Sequence, residues 1–336
     1  MSPKSVRRVV KIVAATAGIA AAVVAGIAYW ALRHTDAPVP PLSGQIERGA
    51  VQHDGRNRSW LAYVPLRRPS SPALVIALHS SMGTAQAARA MFGYDFDALA
   101  DQHGFVVAYP NGVDGHWNEA KLRGPFAAKR ENVDDVGFLR ALVEDLVARH
   151  NVDRSHVYVT GASNGGSMVI RLALEAPEFA RGYAAVIASL PTAANMAASP
   201  KEKPVSILLM NGTDDPLNPW RGGDVVLRGV WGNRGPVRST EDSVDYFRAL
   251  AGIDSAPVVT EFPDRDSSDG STVERWQWVA PGENRVVLYR INGGGHAVPH
   301  PAVFGRRLLG ASNRDIHAAH EIWAFFQSVV SERSKP

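Results

Sequence analysis

Cysteine is absent from all 336 residues. Its absence excludes disulfides, thiolate metal sites, a cysteine nucleophile and lipid attachment at an N-terminal cysteine. An excess of one charge sign is missing from the body of the chain as well. The formal balance is +3, but residues 1–36 hold five Lys or Arg against one Asp, leaving 31 basic and 32 acidic residues beyond them. No basic track follows, so nucleic acid is not an expected partner. The chain shows no internal repeat. Its glycine-rich turn GASNGG lacks the Gly-Lys-Ser/Thr ending that grips a nucleotide, and the candidate catalytic groups show no carboxylate cluster at ligand spacing. Neither a cofactor nor a metal is therefore expected at these groups.

The N-terminus is different in kind. Lys4, Arg7, Arg8 and Lys11 precede an uncharged run over residues 12–32, closed by Arg33. That length can span a bilayer as one helix, so the expectation is an uncleaved signal anchor, or else a signal peptide cut after an alanine. The basic end would stay in the cytoplasm and the remainder would lie outside it. Pro38, Pro40 and Pro41 then make an extended spacer between membrane and body.

From residue 43 onward, short apolar runs alternate with helical patterns. Strands are predicted over 59–66 (an edge strand), 73–79, 105–109, 156–160, 184–190, 205–210 and, last, 286–291. Helical spacing is read within 84–103, over 132–150 with Asn132 as the cap, after Asn164, over 242–251 and within 312–330. The long loop over 111–132 and the glycine- and proline-rich stretch over 212–240 look like rims of a site. This order predicts a mostly parallel sheet covered by helices on both faces, with ligands at the carboxyl ends of its strands.

The element around which the rest is organised is HVYVTGASNGGSMVIRLALE, a strand that must turn into a helix within a few residues. Ser163 sits at that corner in a G-x-S-x-G pattern, where a hydroxyl is lifted clear of the sheet beside a helix N-terminus. A serine hydroxyl needs a base, and the base needs an acid to hold its tautomer. His296 follows the strand at 286–291, and Asp214 or Asp215 follows the strand at 205–210, so all three fall on one sheet edge. His79, ending another strand, is a rival base. Backbone donors for an oxyanion are expected at Asn164 and, in the HSSMG loop, at Ser81 or Ser80. The chemistry implied is acyl transfer to Ser163 followed by attack of water. An acceptor alcohol in place of water, or a binding protein on a hydrolase frame, are the competing readings.

The series ALHSSMG, YPNGVDGHWNE, ENVDDVGFLRALVEDL, VDRSHVYVTGASNGGSM, LLMNGTDDPLNPWRGG, INGGGHAVP and RDIHAAHEIWAFF resembles the polyhydroxybutyrate depolymerase and feruloyl esterase group of carbohydrate esterase family one. The likeness covers about residues 45 to 330 and implies an α/β-hydrolase fold. It matches Ser163 to the nucleophile, His296 to the base, Asp215 to the acid and Ser81 to the oxyanion contact. It also implies Trp117 and Trp220 as substrate-binding residues, and makes His79 a shaper of the oxyanion loop. Relatives usually carry glycine and cysteine where this chain has Ser80 and Ser81, so a changed loop geometry is expected, since glycine allows angles that serine resists. The expected organisation is a signal anchor or signal peptide over 1–36, a linker over 37–44 and one esterase domain over 45–332. Its substrates would be small or oligomeric esters: hydroxyalkanoate oligomers, feruloyl or acetyl sugar esters, or short acyl esters.

Overall fold

The computed structural model describes residues 5, 18, 21–227, 229, 232–280 and 284–330. Twelve strands are present among these residues: β1 Gln45–His53, β2 Arg56–Val64, β3 Leu74–Leu78, β4 Val106–Pro110, β5 Val157–Ala162, β6 Gly182–Val186, β7 Ile207–Gly212, β8 Gly223–Asp224, β9 Pro236–Val237, β10 Val258–Glu261, β11 Thr272–Val279 and β12 Arg285–Asn292. Ten of them form one sheet in the order β1-β2-β4-β3-β5-β6-β7-β12-β11-β10. The six inner strands from β4 to β12 run parallel, while β1, β2, β11 and β10 pair antiparallel at the two flanks.

The inner strands are apolar throughout because both faces of the sheet are covered. Alternation within β3 shows the division. Leu74, Ile76 and Leu78 enter one core with the helices Asp135–His150, Asn164–Glu175 and Thr240–Leu250. Val75 and Ala77 enter the other, with the helices Ala85–Met91, Asp95–His103 and Ala318–Val330. In the last of these, Ile322 and Phe326 are fully buried, each contributing roughly 1.5–3 kcal/mol.

Several expectations change. The strand read as an edge is second from it, because β1 pairs along the whole length of β2. The sequence of β1, QIERGAVQH, carries no apolar run. Its hairpin was nevertheless encoded: Asp54 and Gly55 both have left-handed φ, 49° and 70°, as a two-residue turn of type I′ requires. Strands β10 and β11 were not expected either. The helix at 135–150 is capped by Asp134, whose carboxylate accepts from Gly137 N, and Asn132 lies upstream at φ 45°. Asp135, just inside, accepts from Arg58 Nη2 at 2.5 Å and from Asn118 N at 2.7 Å.

Lys4, Arg7, Arg8, Lys11 and residues 12–17, 19 and 20 of the apolar run lie outside the described residues. Residues 21–32 are helical and mostly exposed. Among the described residues no helix is long and apolar enough to cross a membrane. The spacer is tied near both ends: Thr35, just ahead of it, pairs with Phe304 as an isolated bridge, and Ser43 N within it donates to Asp101.

The Arg58–Asp135 pair is buried on both sides, with side-chain exposures of 4% and 0%. Removing one partner strands the other charge. Arg58→Met is expected to cost roughly 3–5 kcal/mol in urea unfolding, and Arg58→Met with Asp135→Leu to recover much of that loss.

Candidate active site

Ser163 stands between β5 and the helix Asn164–Glu175 with φ 56° and ψ −114°, a conformation a non-glycine residue adopts only under strain. Neighbours enforce it. Ser163 N donates to Val186 O at 2.9 Å, and Ser163 O accepts from Ser167 N at 2.8 Å. The turn is tight because Gly165 passes against β3, where an added Cβ would sit 2.6 Å from the carbonyl oxygens of Leu78 and His79. Only glycine fits there. A second strained residue, Ile187 with φ 48°, leaves the end of the neighbouring β6 and is tied by its N–H to Met210 O.

The ends of β7 and β12 are joined by backbone. Thr213 N donates to Ile291 O, Asp214 N to Gly294 O, and Gly293 N to the hydroxyl of Thr213. This lacing sets Asp215 beside His296. Asp215 Oδ1 accepts from Leu217 N and Asn218 N, both at 2.8 Å, and Asp215 Oδ2 faces His296 Nδ1 at 2.7 Å. Asp214 is exposed. A carboxylate only accepts, so the imidazole proton lies on Nδ1 and the lone pair of Nε2 is directed at Ser163 Oγ, 2.9 Å away. Thus the structure brings Ser163, Asp215 and His296 into one hydrogen-bonded chain. His296 and Asp215 are each 7% exposed.

His79 is excluded as a rival base by its contacts. It is fully buried; its Nε2 accepts from Gly112 N at 2.9 Å, so Nδ1 carries the proton and donates to Ser80 O. Burial, resisted by that backbone bond, pushes its pKa down to about 4. Neutral His79 braces the 79–83 turn. Within that turn the left-handed φ falls on Met82, 58°, and not on Ser80, so serine is accommodated without the strain the sequence suggested.

Ser81 and Asn164 line the cavity that opens beside Ser163 and His296, together with Lys121, Ser167, Ile187, Asn218, Val225 and Arg234. Asn164 is the first residue of its helix, where the N–H has no intrahelical acceptor. Lys121 Nζ donates to Ser167 Oγ at 2.6 Å and lies 3.2 Å from Glu119, and burial lowers its pKa against the pull of Glu119. The Arg234 guanidinium lies over the Phe126 ring with no carboxylate within 4 Å among the described residues. Burial lowers its pKa too, opposed by Glu119.

The two tryptophans do not line this cavity. Trp117 is fully buried behind it: its indole N–H donates to His79 O, and its backbone N–H donates to Asn164 Oδ1 at 2.8 Å. It ties the 79–83 turn to the helix that follows Ser163. Trp220 donates to Glu241 at 2.9 Å and lies under the Arg290 guanidinium. Sequence reasoning missed Lys121, Ser167, Asn218 and Arg234. For Ser167 a signal existed, since position 167 lies one helical turn from 163 and on the same face.

A profile of the prolyl oligopeptidase family matches residues 91–221. "Putative esterase NocK" of Nocardia uniformis subsp. tsuyamanensis is 30% identical over 284 residues, covering 79% of this chain and 78% of that protein. The chain belongs to this esterase family of α/β-hydrolases. Poly(3-hydroxyalkanoate) depolymerase C of Paucimonas lemoignei is 28% identical over 261 residues, 72% of this chain and 59% of its own length. The solved acetyl xylan esterase of Aspergillus awamori superposes with a TM-score of 0.53 at 16% identity, covering 85% of this chain and 100% of its own, and shares the fold. The protein is a serine hydrolase acting on ester bonds.

His79 also makes stability depend on pH. Its folded pKa, about 4, lies below its ordinary 6.5, so the unfolded chain binds the extra proton first. The stabilisation is complete above pH 6.5 and falls away as pH drops toward 4, by about 3 kcal/mol in total. Denaturant unfolding as a function of pH should show this slope in the wild type and a flatter one in His79→Gln.

Proposed function

We propose that Ser163 attacks the ester carbonyl, that His296 takes its proton and returns it to the leaving alcohol, and that Asp215 holds the imidazole and stabilises its charge. The chain of contacts at 2.7 and 2.9 Å carries this reading. The tetrahedral oxyanion is held by the backbone N–H groups of Asn164 and Ser81, and the former adds the positive end of its helix. Water, activated by the same His296, then releases the acid.

The substrate is an ester with a short acyl group, acetyl or hydroxybutyryl in size. The cavity beside Ser163 holds about 280 Å³ of empty space with its solvent-open mouth included, a size that suits a short acyl group. Lys121, Ser167, Asn218 and Arg234 make that space polar, which suits an oxygen-bearing substituent better than a long alkyl chain or a feruloyl ring. The names of the depolymerase and of the acetylxylan esterase of Coprinopsis cinerea, 27% identical over 276 residues, agree with small acyl groups. The basic flank and apolar run over 12–32 support an extracytoplasmic body held by an N-terminal membrane helix, or a secreted one after cleavage.

Ser163→Ala is expected to lower kcat on 4-nitrophenyl acetate by about 10⁴-fold or more, and Asp215→Asn by about 10³ to 10⁴-fold, with KM nearly unchanged. Unchanged turnover in either variant contradicts the assignment. Across 4-nitrophenyl acyl esters and methyl ferulate, kcat/KM for acetate should exceed that for octanoate and for ferulate by about tenfold or more. A preference for octanoate or ferulate would reject the short-acyl reading.

A further inference from the structure

The chain that carries His296 continues through Pro299 to His300, and the two imidazoles diverge. One faces Ser163; the other enters a separate polar cluster where the helix Asp95–His103, this loop and the start of the helix Ala318–Val330 meet. There three imidazoles surround one carboxylate oxygen. Asp95 Oδ2 lies 2.8 Å from His317 Nδ1, 3.2 Å from His300 Nε2 and 3.9 Å from His320 Nε2. One ligand atom from each of Asp95, His317 and His320 lies within 4.8 Å of the others. The rings of His317 and His320 stack at 4.7 Å. The cluster is sealed at its base, where the His300 side chain is 5% exposed, and open at its rim, where His320 is 46% exposed. A small ion can therefore enter from solvent and keep a water.

The tautomers separate ligand from support. His300 Nδ1 accepts from Ala302 N and Val303 N, so its proton lies on Nε2 and that nitrogen cannot bind a cation. It is buried, has no aligned acceptor among the described residues, and lies 3.2 Å from Asp95 Oδ2. His317 and His320 have no such backbone donor on the nitrogens that face Asp95. No Lys or Arg among the described residues lies within 4 Å of Asp95, so its charge is met by imidazoles alone.

We propose that Asp95, His317 and His320 are the protein ligands of a divalent transition-metal site that ties the helix Asp95–His103 to the helix Ala318–Val330 beneath the His296 loop. Two imidazoles and one carboxylate suit zinc, cobalt or nickel and not magnesium or calcium, which take all-oxygen shells. The metal takes the place of the proton that His317 Nδ1 shares with Asp95, and that proton passes through solvent to Nε2, so the bound ring stays neutral. Ligand bonds of about 2.0–2.2 Å require the Asp95–His317 contact to widen by about half an ångström and His320 to close inward. His300, whose Nε2–H lies 3.2 Å from the carboxylate, is placed to take the outer role that such sites require once the ligands shift.

The test uses the full chain without an affinity tag. Zinc and cobalt are titrated calorimetrically into wild type, His317→Gln, His320→Gln and Ser163→Ala, and thermal unfolding is followed with and without zinc at about 0.1 mM. Expected are one zinc per chain, a visible absorption band on cobalt binding, and a rise in Tm with zinc but not with magnesium. Each histidine variant should lose at least about tenfold in affinity and most of the Tm rise, while Ser163→Ala keeps both. His320 is half exposed, so its variant remains informative if His317→Gln fails to fold. Absence of zinc uptake by the wild type, or undiminished uptake by His320→Gln, overturns the proposal. Loss of uptake in Ser163→Ala overturns it as well, by placing the metal at Ser163.

Discussion

Asp215 has two oxygens with different tasks, and the site depends on that division. Oδ1 is fixed by the N–H groups of Leu217 and Asn218, which leaves Oδ2 a single direction, toward His296 Nδ1. Holding the proton on Nδ1 turns the other nitrogen into an acceptor aimed at Ser163. A histidine free to rotate or to change tautomer would lose that aim. The parallel pairing of β7 with β12 brings the two partners together, because their ends stop at the same level of the sheet, Gly212 opposite Ile291.

Strain is concentrated where this edge of the sheet must present its groups. Ser163 and Ile187 each hold a left-handed φ, at an order of 1–3 kcal/mol apiece. Two hydrophobic cores, one on each face, offset that cost and prevent relaxation. Trp117 belongs to the same bracing. Filling the space between His79 and Asn164, it links the 79–83 turn to the helix after Ser163, so the two are referred to one rigid body.

How much of this was legible depended on where the information lay. The inner strands, and Ser163 and His296 as candidates, were readable because apolar runs and glycine turns are local signals. Asp214 and Asp215 could not be separated by local pattern, since the difference is which carboxylate meets an imidazole 81 residues away. Strand β1 escaped because an exposed antiparallel edge needs no apolar run, although Asp54-Gly55 announced its turn. Lys121 and Arg234 were invisible as site residues because they reach the cavity from irregular segments. Asp95 meets His317 across 222 residues, a convergence that only the packing of two helices reveals.

The central claim is that His296 activates Ser163 and no other hydroxyl. Brief treatment with a fluorophosphonate followed by peptide mass spectrometry tests it directly. A single adduct on Ser163 is predicted in the wild type, absent from Ser163→Ala and strongly slowed in His296→Ala. An adduct on another residue, or equal labelling in the Ser163→Ala protein, would contradict the account.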